Sequence, residues 1–405
     1  MARQPATASV PMPMVLLVLL VLLLSMHALS SALILPTLPL LTSWDSAARQ
    51  WAFSSLILGF GASQIGWGYL ADRCGRRPAL LAGLLLFVLA SLGCFFATGL
   101  ASLVLCRALQ GVGVAAAGVC ARAILRDLYS AEELIVMLSR CFSWVSAISL
   151  AGPFLGGMLV RSHGLAGAPT AYGALGLLAL AVAFFGLRET LAAKATPDSA
   201  QATAVGWRDI WRQPVFRLYT ALTACSYLGH YLFLSGSAHL LIEQRGLSVI
   251  QYGAVLSCCS LCYLAGTVAS RHWLRAYGLR RCVGGASLVG LAGGAALGLA
   301  AMCGVSSAVA FVAPYMLFVF AHAIHQSCGQ AAAMAPFKDA AGRANAWLGT
   351  TLPLVAVSTG ALLAPAQNLS ASVLPLAICI AAVLTAIVAW TGVRWHGDIA
   401  RYAEP

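Results

Sequence analysis

Residues 68 to 78 read GYLADRCGRRP, and this stretch decides the fold of the chain. It joins two long apolar runs, yet it holds an aspartate and three arginines. Side chains with that much charge are too costly to lie in hydrocarbon. The stretch is therefore predicted to be a turn at a membrane surface between two spanning helices. Gly75 permits a sharp bend there, and Gly68 is expected to let neighbouring helices approach closely.

Composition supports a membrane protein. Of the 405 residues, 60% are hydrophobic and 9% are charged, and the mean hydropathy is +0.87. Soluble domains carry about 25% charged residues. The net charge of +12 does not indicate a nucleic-acid partner, because the basic residues stand singly or in short clusters between apolar runs. The thirteen cysteines lie mostly inside apolar runs and are predicted to be buried free thiols.

Apolar runs of about 20 residues, the length that crosses a bilayer, predict twelve spanning helices in an all-α fold. The predicted spans are 14–40, 51–70, 79–98, 101–123, 136–160, 171–187, 215–241, 250–270, 281–303, 307–330, 345–364 and 372–392. The polar segment from Arg188 to Gln213 has the composition of a linker. We therefore predict a six-helix bundle at 1–190, a cytoplasmic linker at 191–213 and a second six-helix bundle at 214–405.

The distribution of positive charge predicts the orientation. If both termini are cytoplasmic, most of the 24 Lys and Arg residues fall on the cytoplasmic side, as the positive-inside rule requires. The first apolar run resembles a secretory signal at its start, but it is long enough to span and is predicted to remain uncleaved. The expected location is a membrane that the chain crosses several times, with both termini on the cytoplasmic side.

The second half of the chain repeats the first. The pattern at Gly68, Asp72, Arg73, Gly75, Arg76 and Arg77 recurs at Gly266, Ser270, Arg271, Gly278, Arg280 and Arg281. Duplicated bundles of this kind enclose a substrate site near the bilayer midplane and alternate its access by rocking. The second copy lacks the acidic residue, because Ser270 takes its place.

A second informative stretch is LCRALQGVG at residues 105–113, inside the fourth predicted span. A bare arginine within an apolar helix is costly and is usually functional or paired. Arg107, with Gln110 one turn later, is therefore a candidate functional residue. The alternative is that Arg107 lies near the outer interface and extends its side chain to water.

A third stretch, GPFLGG at residues 152–157, lies in the fifth predicted span. Pro153 removes a backbone hydrogen bond and bends the helix, while Gly152, Gly156 and Gly157 allow tight packing. An ordinary packing seam of small residues is the alternative reading.

These three stretches resemble the motifs of the major facilitator superfamily: its loop between helices 2 and 3, its helix-4 motif and the helix-5 motif of its exporters. With RET at 188–190, the chain resembles the twelve-helix drug:proton antiporters, and LPTLP at 35–39 and RDLY at 126–129 resemble their Bcr/CflA-type subgroup. The resemblance implies alternating access with export of a drug or secreted metabolite across the bacterial cytoplasmic membrane. It further implies that Arg107 and Gln110 take part in proton or substrate coupling. It also implies that Asp72 gates by meeting a helix of the other half. Asp127 is a candidate partner for Arg73 or Arg76.

One departure from that family concerns proton coupling. Relatives carry a carboxylate in helix 1 shortly before the LP pair, whereas this chain has SSALI at residues 30–34. The twelve acidic residues are all predicted in loops or at helix ends. Histidine titrates near neutral pH, so at least one of His27, His230 and His322 is predicted to line the cavity and take part in coupling. A structural role for each histidine, Glu243 as the carrier, sodium coupling and uniport stay open.

The expected partners are a small-molecule substrate, protons and the lipid bilayer, with no nucleic acid, cofactor or metal, in a monomer. A siderophore is one possible cargo, and import stays open beside export. An enzyme is not expected, because the sequence has no Walker A loop, no G-x-S-x-G elbow and no H-E-x-x-H motif. A membrane sensor that keeps the transporter fold without transport is a remote alternative.

Overall fold

The computed structural model describes residues 14–40, 46–129, 131–191, 206–337 and 340–393, and all regular secondary structure in those ranges is helical. The first half contains α1 (Met14–Ala32), α2 (Ser46–Cys74), α3 (Arg76–Phe96), α4 (Leu100–Leu128), α5 (Ala131–His163) and α6 (Gly167–Gly186). The second half contains α7 (Trp207–Arg212), α8 (Pro214–Ala238), α9 (Val249–Met302), α10 (Ala308–Met334), α11 (Ala341–Leu369) and α12 (Val373–Ile387).

The helix α9 holds two of the predicted spans. It breaks at Gly278, whose φ of 73° is not helical. With its two arms counted separately and the short α7 left out, the long helices of the described ranges agree with the twelve predicted spans. By length and composition alone, eight helical stretches in the described ranges can cross a membrane, and α9 is one of these stretches. The protein is therefore an all-α, multi-pass membrane protein.

Two predicted boundaries are wrong. The first span does not continue as α-helix to residue 40, because α1 ends at Ala32 and a 3-10 turn covers Leu35–Leu40. Pro36 explains this, since proline lacks the N–H and disfavours helix in the residue before it. The predicted linker is not irregular throughout, because its end forms α7, where Ile210 is fully buried in the core of the second half. The linker residues 192–205, like Arg3 and the C-terminal residues 394–405, lie outside the described part.

The helices pack as two bundles that meet along two related seams. One seam joins α2 to α11, and the other joins α5 to α9. The two are equivalent under the repeat, because α2 and the start of α9 are the second spans of their halves, and α5 and α11 are the fifth. At the first seam, the Thr350 hydroxyl donates to the carbonyl of Gly61 at 3.0 Å. The proposed bundle boundaries at residues 190 and 213 stay predictions.

Candidate functional site

The turn between α2 and α3 is built around Arg76. This side chain is buried, with a relative exposure of 3%. Its Nη1 donates to Asp72 Oδ1 at 2.5 Å and its Nε donates to Asp127 Oδ2 at 2.9 Å. Of the two partners predicted for Asp127, Arg76 is therefore confirmed. Arg73 instead donates to the hydroxyl of Tyr69 at 2.6 Å.

Glu189 is a member of this cluster that sequence reasoning missed. Its Oε1 accepts from the backbone N–H of Arg76 at 2.9 Å, and its Oε2 accepts from that of Arg77 at 3.1 Å. It thus caps the first turn of α3 from the far end of α6. Burial raises the pKa of Glu189, but the backbone N–H donors lower it by a larger amount. The pKa of Glu189 therefore lies below its ordinary value. In the sequence, only the RET stretch at 188–190 pointed to Glu189.

The two glycines of the turn behave differently. Gly75 has a φ of 103°, which confirms the predicted sharp bend. The expectation for Gly68 is wrong in this conformation, because a Cβ there would have no atom within 4 Å. No helix approaches that position closely among the described residues.

Replacing Gly75 with alanine is expected to destabilise the protein by about 1–3 kcal/mol, because the backbone must adopt a φ that L-residues avoid. The added Cβ would also lie 2.5 Å from Glu189 Oε2. Thermal unfolding in detergent measures the effect. Gly68→Ala is the matched control and should be neutral or slightly stabilising. Equal melting temperatures for the two variants would contradict a requirement for glycine at position 75.

Replacing Glu189 with glutamine is expected to lower stability at pH 7 by about 0.5–2 kcal/mol, the usual worth of a helix cap. Because the folded pKa is depressed, this contribution is present above the ordinary pKa of about 4.3 and is lost as the pH falls through the folded value. The difference in melting temperature between Glu189→Gln and wild type should therefore shrink below about pH 4. Arg188→Gln, at the neighbouring exposed position, is the control. A difference in melting temperature that does not change with pH would contradict the role of Glu189 as a cap of α3.

Arg107 is completely buried within the first half. Its Nε donates to the carbonyl of Ala52 at 3.3 Å, and its Nη2 donates to that of Ser30 at 3.2 Å. Its Nη1 donates to Gln110 Oε1 at 3.0 Å, and its guanidinium lies 5.3 Å from the ring centre of Tyr172. The alternative of an arginine extending to water is therefore wrong. The side chain ties α4 to α1 and α2.

No ion pair neutralises Arg107 among the residues that the structure describes. Its partner Gln110 is also fully buried and donates from Nε2 to Ser91 Oγ at 2.9 Å. All of the partners of Arg107 are thus neutral. A full positive charge remains inside the first bundle.

A cavity of about 440 Å³ lies between the two halves. The first half contributes residues of α1, α2 and α5, and the second contributes residues of α8, α9 and α10. His27, His230 and His322 all line it, together with the rings of Tyr227 and Tyr263. The placement predicted for the histidines is thus found for all three, whereas their role in coupling stays a prediction.

The histidines of the second half belong to a polar network that sequence reasoning did not find. The rings of His230 and His322 stack at 4.7 Å. His322 Nδ1 shares a hydrogen bond of 2.7 Å with Ser226, and His230 Nδ1 shares one of 2.7 Å with the Tyr315 hydroxyl. Behind them, the ring of His325 is hydrogen bonded to Ser287 at 3.0 Å. These contacts join α8, α9 and α10 at the cavity wall.

Polar contacts join the two halves on the side predicted to be external. Arg49 of α2 pairs there with Glu243, which also binds His239 at 2.8 Å. Deeper in the same region, Ser54 is hydrogen bonded to the hydroxyl of Tyr231. Glu243 does not line the cavity, so the structure does not favour it as the proton carrier.

At the opposite end of the molecule, the ion pairs of Asp72 stay within the first half. Asp72 is 65% exposed, and its ion pairs in the described part of the chain are with Arg76 and Arg126 of the same half. The meeting with the other half that the resemblance implies is not formed in this conformation. The gating role of Asp72 stays a prediction.

The glycines of α5 lie in two packing seams. A Cβ on Gly152 would lie 3.3 Å from Ala32 at the end of α1, and one on Gly156 would lie 3.1 Å from Leu33, the next residue. A Cβ on Gly157 would lie 3.3 Å from the Val249 carbonyl of α9. One seam therefore joins α5 to its own half, and the other joins it to the second half. The side chain of Pro153 lies outside the described part.

Comparison with known proteins places the chain in one family. The profile of the Major Facilitator Superfamily matches residues 20–361. Two solved structures share the fold at low identity. One is a bacterial homologue of the human lysosomal transporter Spinster in an inward-facing, occupied conformation, with 17% identity, a TM-score of 0.73 and 98% of each chain covered. The other is a D-xylose–proton symporter, with 14% identity, a TM-score of 0.73, and 93% of this chain and 97% of the other covered.

Relatives with closer sequences match only part of the chain. Multidrug resistance protein MdtM of Salmonella typhimurium is 27% identical over 47% of this chain and 47% of its own length. Multidrug resistance protein D of Escherichia coli is 36% identical over 28% of each chain. The matched part thus spans about half of these relatives or less.

Proposed function

The chain belongs to the Major Facilitator Superfamily, and from this premise we propose that it exports a small amphipathic molecule across the bacterial cytoplasmic membrane by proton antiport. The observation that carries the proposal is the cavity of about 440 Å³ between the two halves. Its walls come from both bundles, so rocking one bundle against the other changes which side of the membrane it faces. Both termini are cytoplasmic in this proposal, and the protein acts as a monomer.

Proton coupling rests on the histidines of the cavity wall. A proton carrier must titrate near neutral pH and face the space that alternates between the two sides. His27, His230 and His322 all meet the second condition. The stacked pair His230 and His322 is also hydrogen bonded to Tyr315 and Ser226, which supplies partners for a proton entering or leaving either ring.

Export, as the direction, rests on the glycine seam of α5 and on the relatives. The GPFLGG stretch resembles the motif of exporters, and Gly157 contacts the second half at the start of α9. The relatives named multidrug resistance proteins are similar over part of their length. Assignment to the Bcr/CflA-type subgroup is part of this proposal.

A second candidate function is transport of a siderophore or another metabolite, outward or inward, with coupling unlike that of the drug antiporters. The observation that favours it is a cavity lining without a carboxylate among the described residues. A sensor without transport is less well supported, because the ion cluster of Asp72, Arg76 and Asp127 is intact.

Everted membrane vesicles test the function. We expect energised vesicles that contain the protein to accumulate at least one compound from a panel of chloramphenicol, norfloxacin and a catecholate siderophore. The accumulation should collapse when a protonophore is added. Accumulation that resists the protonophore would contradict proton antiport, and none for any compound would contradict export of this class.

Substituting the cavity histidines with glutamine is expected to remove the coupling. Glutamine keeps hydrogen-bonding groups but cannot titrate between pH 5 and 8. In the variant His27→Gln/His230→Gln/His322→Gln, accumulation should fall to the level that wild type shows with protonophore, and its pH dependence should flatten. His272→Gln, at an exposed position of α9, is the control. A pH profile equal to that of wild type in the triple variant would remove the histidines from the mechanism.

A further inference from the structure

We propose that the cavity selects neutral or anionic aromatic molecules and rejects permanent organic cations. This inference names the substrate class of the proposed transporter and rests on that proposed function. It follows from the charges in and behind the cavity wall.

Among its described residues, the lining offers no negative charge that compensates a cation. Its described members include no aspartate or glutamate, and its polar groups are the three histidines, serines, tyrosines and Gln326. Moving a cation from water into such a space costs hydration free energy that only a fixed negative charge or several aligned acceptors can return.

Carboxylates at both ends of the molecule are engaged in ion pairs. Glu243 pairs with Arg49 and His239 at one end of the molecule. Asp72 and Asp127 pair with Arg76 at the other end. Neither group contributes to the lining.

Positive charge stands directly behind the first-half wall. Arg107 binds the carbonyl of Ser30, and the neighbouring Ser31 lines the cavity. Arg107 is completely buried with neutral partners only. In a medium of low dielectric constant its field reaches the cavity with little screening, so it favours an anion and opposes a cation.

A second arginine of α4 adds to this field. A Cβ on Gly118 would lie 3.9 Å from both Arg122 Nη2 and the ring of Phe60, which places the two side chains on the same side of α4. The ring of Phe60 in turn lies 4.0 Å from that of His27, a lining residue. Arg122 takes part in none of the ion pairs found in the described ranges.

The wall also carries groups that fit an aromatic ligand. The rings of Phe53, Tyr227 and Tyr263 face the cavity and suit stacking on a planar molecule. His27 Nε2 is buried without a hydrogen-bond partner among the described residues, so this atom of a lining residue is unsatisfied in this conformation. Aromatic walls can bind cations through their ring faces, but here two arginines oppose that attraction.

Binding of three ligands that share one ring system tests the charge rule. The probes are 1-naphthoate, 1-naphthamide and 1-naphthyltrimethylammonium, measured by equilibrium dialysis against the purified full chain in a non-ionic detergent, with protein-free micelles as the blank. We expect the anion and the amide each to bind about tenfold or more tightly than the cation. Equal or tighter binding of the cation would overturn the inference, and so would binding by none of the three.

Two variants tie the preference to the named charges. Arg122→Gln should reduce the ratio of anion to cation affinity by about threefold or more, and Ser31→Glu should reverse the preference. Thr170→Glu, at an exposed position of α6, is the control and should leave the ratio unchanged. An unchanged ratio in folded Arg122→Gln and Ser31→Glu would overturn the inference. Adding 1-naphthyltrimethylammonium to the panel of the vesicle experiment separates the two proposals, because its accumulation with loss on protonophore addition would support the proposed function while overturning the charge rule.

Discussion

Replacing Arg107 with alanine is expected to abolish transport and to destabilise the first bundle by about 2–5 kcal/mol. The change leaves the carbonyls of Ser30 and Ala52 without their donor and opens a void beside Tyr172. It also removes the positive charge behind the cavity wall. Uptake into everted vesicles and thermal unfolding in detergent measure the two effects separately.

Arg107→Lys separates the loss of transport from the loss of stability. Lysine keeps the charge but cannot reproduce the forked geometry that reaches Gln110 and two carbonyls at once. We expect a folded protein whose transport is reduced at least several-fold. Arg140→Ala, at an exposed position of α5, is the control. Normal transport in Arg107→Ala would show that the buried arginine serves packing alone.

Replacing Asp72 with asparagine is expected to abolish transport while expression and stability remain close to those of wild type. Stability should change little because Asp72 is 65% exposed, and exposed ion pairs contribute about 0–1 kcal/mol. Transport should be lost because the resemblance implies that Asp72 meets a helix of the other half in the alternate conformation, and a neutral amide weakens an interaction with a helix N-terminus.

Asp209→Asn is the matched control, since Asp209 is also an exposed carboxylate in a surface pair, with Arg212 at 3.9 Å. Expression is measured by immunoblot of the membrane fraction and transport by vesicle uptake. Wild-type transport in Asp72→Asn would contradict the gating role of the turn.

The turn that begins at Gly68 shows how far the sequence alone reaches. Its charge density predicted a membrane-surface turn, and the structure has Gly75 at a positive φ and Arg76 paired with Asp127. The repeat predicted a second such turn, and Gly278 breaks α9 in the same way. Local composition was sufficient in both places because the constraint is local: charge excluded from hydrocarbon, and a bend that needs glycine.

Contacts between distant helices could not be predicted from the sequence. The cap that Glu189 provides depends on the end of α6 lying beside the start of α3. Arg107 satisfies its donors with backbone carbonyls, which no side-chain pattern reveals. The link between His322 and His325 through Ser226 depends on the rotation of α8 against α10. The end of α1, in contrast, is predictable from the sequence, because Pro36 disfavours α-helix at and just before its own position.

Proton movement by the purified protein tests the central claim most directly. Proteoliposomes that contain a pH-sensitive dye are given a gradient of the compound that everted vesicles accumulate, with no imposed pH gradient. We predict that the substrate gradient alone drives protons in the opposite direction in wild type, and that it moves substrate without protons in His27→Gln/His230→Gln/His322→Gln. Substrate movement without any pH change in wild type would contradict proton antiport through this cavity.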